Sequence, residues 1–505
     1  MSLHSSSRAP IDWRFSQVFG ERAPGEELQD ADIISAIEFD KRGDHLAVGD
    51  RSGRVVIFKR SYASNELYSQ SQLEQLDSTP TLHPEYRYMT EFQSHEPEFD
   101  YLRSLEIEEK INSVRWCAAP NGALFILSTN DKTIKLWKVK ERKLKKVNAL
   151  CPDPHVSSEN ALLAERSFVS ETEETSITNG YQAESGEKVA NQSLSSQGYS
   201  LEIANIGYDA RSSCQRTYAH AHDFNIHSIS TNSDGETFIS ADDLRINLWN
   251  LQISNQCFNI VDIKPANMED LTEVITSAEF HPVHCNMLAY SSSRGFIYLV
   301  DMRQSALCDH NARILQDDDS HGFKSFFTEI IASISDIKFA ADGLHILSRD
   351  YLSLKLWDLR NESKPIKVYK IHEHLRAKLP ELYNNDAIFD KFDCCVSGDG
   401  SHFATGSYSN LLRVFSDGSG SKEVFTIEAS KNPNRKSLLT AAPRARRTSL
   451  SNLARGFYRQ VHENSFSGSN DTSCDLSSKL LHLAWHPTAN MIACAAGNSL
   501  FMYYA

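Results

Sequence analysis

Two adjacent carboxylates, Asp242 and Asp243, sit in the run SADDLRINLW (240–249), and paired carboxylates are a common source of general acid and base chemistry. Neighbouring residues of an extended strand point to opposite faces, so this pair does not converge on one substrate atom. Just upstream, HAHDFNIH carries His220, His222 and His227. His220 and His222 could share one face of a strand, but no nearby cysteine completes a metal set, and histidines leading into such strands commonly bond backbone groups. HEH at 372–374 is no better supplied with ligands. The phosphate-cradling GxxxxGK[ST], the GxSxG elbow and HExxH do not occur. These observations predict a chain that is not an enzyme and has no metal or cofactor. RARRTSLS (444–451) reads either as a solvated flexible loop or as a site for a basic-directed kinase or nuclear-import receptor.

The elements that hold these residues repeat. IEFDKRGDHLAVGDRSGRVVIF (37–58), VRWCAAPNGALFILSTNDKTIKLW (114–137), ISTNSDGETFISADDLRINLW (229–249) and AEFHPVHCNMLAYSSSRGFIYLV (278–300) each read strand, turn, strand, turn, strand. IKFAADGLHILSRDYLSLKLW (337–357), CCVSGDGSHFATGSYSNLLRVF (394–415) and LAWHPTANMIACAAGNSLFMY (483–503) follow the same grammar. Fixed spacing inside units and variable gaps between them is the pattern of blades joined by loops. The seven blocks resemble the WD-repeat family, although only LWDL (356–359) keeps the Trp-Asp pair. The expected fold is all-β: one seven-bladed propeller over residues 1–505. The last unit has only three strands, so the segment 11–20 is expected to close it and remove two exposed sheet edges.

The bulk composition fits a soluble protein. Among 505 residues, 66 Asp plus Glu against 52 Lys plus Arg give a net charge of −14, which favours cationic partners over nucleic acid. The 10 cysteines are dispersed, as in reduced intracellular proteins. The N-terminus MSLHSSSRAP is polar, and no apolar run approaches the roughly 18 residues of a membrane span. No membrane association is expected, and the protein is placed in the cytoplasm, with the nucleus left open. Residues 141–215 and 417–479 read as flexible insertions, the first rich in Ser, Glu, Asn and Gln, the second carrying a basic island. Residues 304–333 are short and mixed. Residues 85–110 alternate as EYRYMTEF, turn at SHEPEFD and continue as YLRSLEIEE, which predicts a hairpin arm. Capping of a blade edge is the other reading of that segment.

A closer likeness lies in FQSHEPEFDYLRSLEIEEKIN (92–112), STNDKTIKLW (128–137) and SADDLRINLWNL followed by FNIVDIKPANMEDLTEVITSAEFHP (258–282), together with SRDYLSLKLWDL and IFDKFDCC. Over nearly the whole chain the sequence resembles the 55-kDa regulatory B subunit family of protein phosphatase 2A. The likeness fails mainly in 141–215 and 417–479. It implies a non-catalytic subunit that binds a HEAT-repeat scaffold subunit, and through it the catalytic subunit, and selects phosphoprotein substrates with basic docking segments on an acidic top face. The catalytic metals belong to the partner. Scaffold contact is implied for Tyr86, Tyr88, Phe92, His95, Glu96, Phe99, Tyr101 and Leu105, with the underside of the propeller assisting.

Substrate contact is implied for Asp243 and Asp386, for the apolar Met268, Leu271 and Val274, and for Tyr383, Phe389 and Lys391. Asp30 and Arg51 stand where the family has Glu and Lys, and Phe224 replaces a Tyr, which removes a hydroxyl. Register alone leaves Asp243 open as a turn-former, since it lies before Trp249 as Asp131 lies before Trp137, and leaves Asp242 as the structural member. Spacing by three would put Met268, Leu271 and Val274 on one stripe of a helical turn, or in plain core. The repeats by themselves would equally suit an adaptor of another machine, such as a substrate receptor of a ubiquitin ligase.

Overall fold

A computed structural model of the chain describes residues 12–21, 28–61, 84–118, 123–144, 207–317, 325–416, 424–431 and 475–505. Residues up to Lys140 and from Ala210 onward form one compact unit, a seven-bladed propeller of four-stranded sheets. Glu141–Asp209 form a second unit, of which only the end of one strand and the start of the next are described.

Strand β1 (Arg14–Phe19) precedes the first blade, β2 (Ile34–Phe39), β3 (His45–Asp50), β4 (Arg54–Ser61) and β5 (Glu85–Gln93). After a two-stranded hairpin, β6 (Glu98–Asp100) and β7 (Leu105–Ile107), the second blade is β8 (Ser113–Cys117), β9 (Leu124–Thr129), β10 (Ile134–Leu144) and β11 (Gly207–Tyr218). The third is β12 (Ser228–Thr231), β13 (Thr237–Ala241), β14 (Arg245–Asn250) and β15 (Ile253–Asp262), and the fourth β16 (Ile275–Phe280), β17 (Met287–Ser292), β18 (Ile297–Asp301) and β19 (Arg313–Leu315). Helix α1 (Phe326–Ala332) leads to the fifth blade, β20 (Ile334–Phe339), β21 (His345–Asp350), β22 (Ser353–Asp358) and β23 (Lys367–Lys370). Helix α2 (Leu379–Asn384) leads to the sixth, β24 (Cys394–Val396), β25 (His402–Gly406), β26 (Leu411–Ser416) and β27 (Val424–Glu428). The last blade is β28 (Leu483–Trp485), β29 (Met491–Ala496) and β30 (Ser499–Tyr504), completed by β1.

The second strand of a blade is covered on both faces by neighbouring blades, so it loses the alternation of a half-buried strand. HLAVGD and MIACAA are buried almost throughout, whereas the outer strand EYRYMTEFQ mixes exposed and buried positions. The core therefore lies in layers between blades. Ile37, Phe39 and Leu46 of the first blade meet Met491, Ala493 and Met502 of the last, and Val55 and Ile57 meet Val114, Trp116 and Ile126 of the second. Fully buried Ala47, Ala289, Ala404 and Ala493 recur on these strands, where a larger side chain would force the layers apart.

Two His-Pro corners lock one blade to the next. His281 accepts the Val283 and His284 amides on Nδ1 at 3.1 and 2.9 Å, and its Nε2 bonds the Gly343 carbonyl at 2.9 Å. His486 does the same with the Thr488 and Ala489 amides and the Gly43 carbonyl. That bonding assigns the proton to Nε2 in both rings. Gly43 and Gly343 have φ of +72° and +66°, and a Cβ on either would collide with the histidine, so glycine is required twice over.

Ring closure runs through β1, which pairs antiparallel with β30 from Arg14↔Tyr504 to Phe19↔Leu500. Trp13 is buried edge-on against Trp485 at 5.5 Å between ring centroids. Gln17 bridges to the first blade, donating to the Tyr86 carbonyl at 3.0 Å and accepting from the Tyr86 amide at 2.7 Å.

Three expected limits change. The segment 85–110 is not one hairpin: 85–93 are the outer strand of the first blade, hydrogen-bonded to β4, and the arm is confined to β6 and β7. EYRYMTEF alternates because it is a blade edge, which the sequence pattern cannot tell from a free hairpin strand. Parts of 141–215 and 417–479 are outer strands, β10, β11 and β27, and the remainder of both lies outside the described residues, as does RARRTSLS. Within 304–333, β19 and α1 are formed.

Candidate functional site

In an antiparallel blade the turn between second and third strands lies at the same end as the crossover from the fourth strand to the next blade. That topology gathers the candidate residues on one rim. Arg51 is in the β3–β4 turn and Asp243 in the β13–β14 turn, while Asp30, Phe224, Met268, Leu271, Val274, Tyr383, Asp386, Phe389 and Lys391 lie in crossovers. The β6–β7 arm is itself a crossover, so it is rooted on this rim. A scaffold bound below and substrate bound above would require the arm to reach across the disc.

Asp242 and Asp243 differ completely. Asp242 is fully buried; its Oδ1 accepts the Leu244 and Arg245 amides at 2.8 and 2.7 Å, and Oδ2 meets His222 Nδ1 at 2.9 Å. The chain continues from His222 Nε2 to Ser240 Oγ at 2.6 Å, and Ser240 Oγ accepts the Trp249 indole N–H at 2.8 Å. Burial alone would raise the Asp242 pKa, but the His222 bond and the two amides together lower it. Asp243 is half-buried, and its carboxylate has no hydrogen bond or ion pair among the described residues. Burial, and to a lesser degree Asp242, raise its pKa; Lys391 and Lys132 pull the other way.

The histidines do not form a metal set. His220 sits at φ +63° in the loop before β12, not on a strand with His222, and His222 is committed to the chain just described. Burial holds His227 down to about 4, and both of its ring nitrogens are buried without partners. Among the described residues no group of three or more His, Cys, Asp or Glu is arranged to hold a metal ion.

The rim is of mixed charge, not uniformly acidic. Asp30 is paired with Arg51. Lys110, pushed below its usual value by burial and then by Arg51, lies within reach of Asp131 and Lys391. A cationic ligand at Asp243 therefore competes with two lysines already near it.

Apolar contacts flank the charges. Met268–Asp270 form one 3-10 turn capped by Asn267, whose side chain accepts the Glu269 amide at 3.2 Å; Met268 is 44% exposed. Leu271 is already extended and Val274 leads into β16, so the helical stripe expected from their spacing does not form. Met268 and Leu271 bracket that turn, the Leu271 amide donating to the Met268 carbonyl at 3.3 Å.

On the far side, Tyr383 on α2 lies 5.9 Å from Phe389, and Asp386 between them is exposed in a left-handed conformation at φ +56°. Asp tolerates that conformation better than most residues. The sequence reading missed Phe326, 61% exposed on α1 and edge-on to Tyr383 at 5.4 Å. The signal was present: Ser325 and Thr328 make a reciprocal cap before an apolar run.

The scaffold set divides. Tyr86 is buried and donates to the Gly43 carbonyl, and His95 is buried against Ser94 and the Thr133 carbonyl, so neither belongs to an exposed surface. Phe92 is half-buried on Trp137. Tyr88, Glu96, Phe99, Tyr101 and Leu105 are exposed. Leu102, at the arm's tip and 98% exposed, joins them. Asp100 accepts the Leu102 and Arg103 amides to shape that turn, and Arg103 ties it to Asp223 at 3.0 Å.

The WD domain, G-beta repeat family matches residues 212–250. The chain is 58% identical to the beta isoform of the 55 kDa regulatory B subunit of serine/threonine protein phosphatase 2A from Arabidopsis thaliana, over 98% of this chain and 97% of that protein. It is likewise 58% identical to the alpha isoform from Oryza sativa subsp. japonica, over 98% and 85%. Similarity extends to the phosphatase 2A regulatory subunit phr2AB of Dictyostelium discoideum, 46% identical over 98% and 99%.

Proposed function

The chain belongs to the 55 kDa regulatory B subunit family of serine/threonine protein phosphatase 2A and is a regulatory subunit, not the phosphatase; from that premise we propose how it works. Its rim selects phosphoproteins that carry a basic docking segment, and its arm holds a HEAT-repeat scaffold that also carries the catalytic subunit. It acts in the cytoplasm.

One observation carries the reading: Asp243 keeps an uncommitted carboxylate beside Asp242, which is wholly committed. A half-buried carboxylate that no protein donor engages is open to the donors of a ligand. Met268 and Leu271 on one side and Tyr383, Phe389 and Phe326 on the other offer the apolar anchors that a docked amphipathic segment needs beside its charges. Joining scaffold and substrate on one rigid disc raises the concentration of phosphosite at the catalytic centre. Family membership leaves no observation favouring the adaptor of a ubiquitin ligase.

The arm gives the test. Replacing residues 98–107 by a short Gly-Ser turn should leave the propeller's melting temperature unchanged and abolish co-elution with the scaffold and catalytic subunits. Undiminished co-elution of that variant would remove the arm from the assembly.

A further inference from the structure

The arm has almost no core of its own. Strands β6 and β7 are three residues each, and from Glu98 to Ile107 only Asp100 and Ile107 are even half-buried. A two-stranded ribbon without a third strand or a supporting surface is marginal in water. Its root is fixed: Ser94 and His95 are buried and donate their amides to the Gly53 carbonyl at 2.9 and 3.1 Å, and the Asn130 side chain donates to the Glu108 carbonyl at 3.0 Å. Beyond that root the support is sparse. Among the described residues, the pairing of Arg103 with Asp223 is the one hydrogen bond or ion pair that ties residues 98–107 to the rest of the chain.

The fold holds Asp223 ready for that contact. The preceding residue, His222, is committed to Asp242 and Ser240 inside the third blade, and Lys132 Nζ donates to the Asp223 carbonyl at 2.8 Å, so the backbone there is held from two directions. The Asp223 carboxylate is shared. Its Oδ1 accepts from Arg103 at 3.0 Å and its Oδ2 from Arg245 at 3.1 Å, while Arg245 Nε donates at 3.1 Å to Asp262, its partner across β14 and β15. Opposite charges therefore alternate from the sheet of the third blade to the arm's tip: Asp262, Arg245, Asp223, Arg103. The Arg103 bond foremost holds the Asp223 carboxyl below its usual value, which keeps it ionised.

We propose that Asp223 is a positioning residue for scaffold capture: by holding Arg103 it sets the pose of the arm before the scaffold arrives. This rests on the reading that the arm contacts the scaffold. The gain is preorganisation, because an arm already in its bound pose gives up less freedom on docking. Phe99, Tyr101, Leu102 and Leu105 stay exposed for the partner while Arg103 fixes their direction. An ion pair of this exposure shifts an equilibrium by no more than about fivefold. A ribbon with so little other support is where a shift of that size is felt.

The test titrates the full chain with an assembled scaffold and catalytic core. Asp223→Ala should weaken binding by about three- to fivefold at unchanged melting temperature. The Leu102 and Leu105 methyl resonances, assigned by substitution in leucine-labelled chain, should narrow in that variant as the arm loosens. Arg103→Ala removes the same contact from the arm's side and leaves the third blade intact. The double variant should bind no more weakly than Arg103→Ala alone, because both substitutions delete one interaction. The variant with residues 98–107 replaced is the reference: if it binds like the wild type, the scaffold reading fails and this role with it. If it does not bind while Asp223→Ala binds like the wild type, or if the losses in the double variant add, the positioning role alone is overturned.

Discussion

Asp242 accepts three hydrogen bonds inside the third blade, whereas Asp243, the next residue, accepts none on its carboxylate among the described residues. Asp242→Ala would strand His222 Nδ1 and two amides, at about 1 to 3 kcal/mol for each buried donor left unpaired. Asp243→Asn should alter stability by no more than about 0.5 kcal/mol. Denaturant midpoints of the two variants measure the difference, and equal losses would contradict the division of roles. The pH dependence follows from the same bonds. The Asp242 pKa is lowered from 3.8 on folding, so its stabilisation is complete above that value and is lost as pH falls through the lower folded value. The Asp243 pKa is raised, so capture of basic segments should weaken on acidification at a pH above the usual carboxylate titration, as binding curves against pH would record. Sequence could identify the acidic pair and favour Asp242 as structural. It could not exclude Asp243 as a second turn-former, because the evidence is the lack of donors around its carboxylate, a property of the folded loop.

At the scale of elements, β1 shows how much rests on a short segment. Trp13 is buried on Trp485, and its indole N–H has no partner, so Trp13→Ala removes packing alone and should cost about 3 to 5 kcal/mol. Thermal unfolding of that variant, and of a chain lacking residues 1–20, should begin earlier than in the wild type; unchanged melting of either would refute closure through β1. The three inner strands of every blade were legible because their spacing is constant and their turns carry Gly, Asp and Asn. Apart from β1, the outer strands were not. GYDARSSCQRTY of β11 and ISNQCFNIVD of β15 face solvent on one edge, so little burial constrains their composition. The same ambiguity misplaced Tyr86 and His95, which alternate like arm residues yet serve the blade interior.

The molecule as a whole joins these parts through contacts between successive blades. Arg115 of β8 reaches Glu38 of β2 at 2.7 Å and the Ile229 carbonyl of β12 at 3.1 Å, so one side chain spans three inner strands. On such a frame the rim residues, drawn from segments far apart in sequence, hold a fixed geometry. Their mixed charge could not be foreseen from a net charge of −14, because Lys132 and Lys391 approach Asp243 only when the ring closes. The most direct measurement compares assembled enzyme containing the wild-type chain with enzyme containing Asp243→Lys and Asp386→Lys. Binding of a phosphoprotein with a basic docking segment should weaken by about 2 to 5 kcal/mol while scaffold and catalytic subunit still co-elute. Equal substrate affinity in the two assemblies would contradict the account.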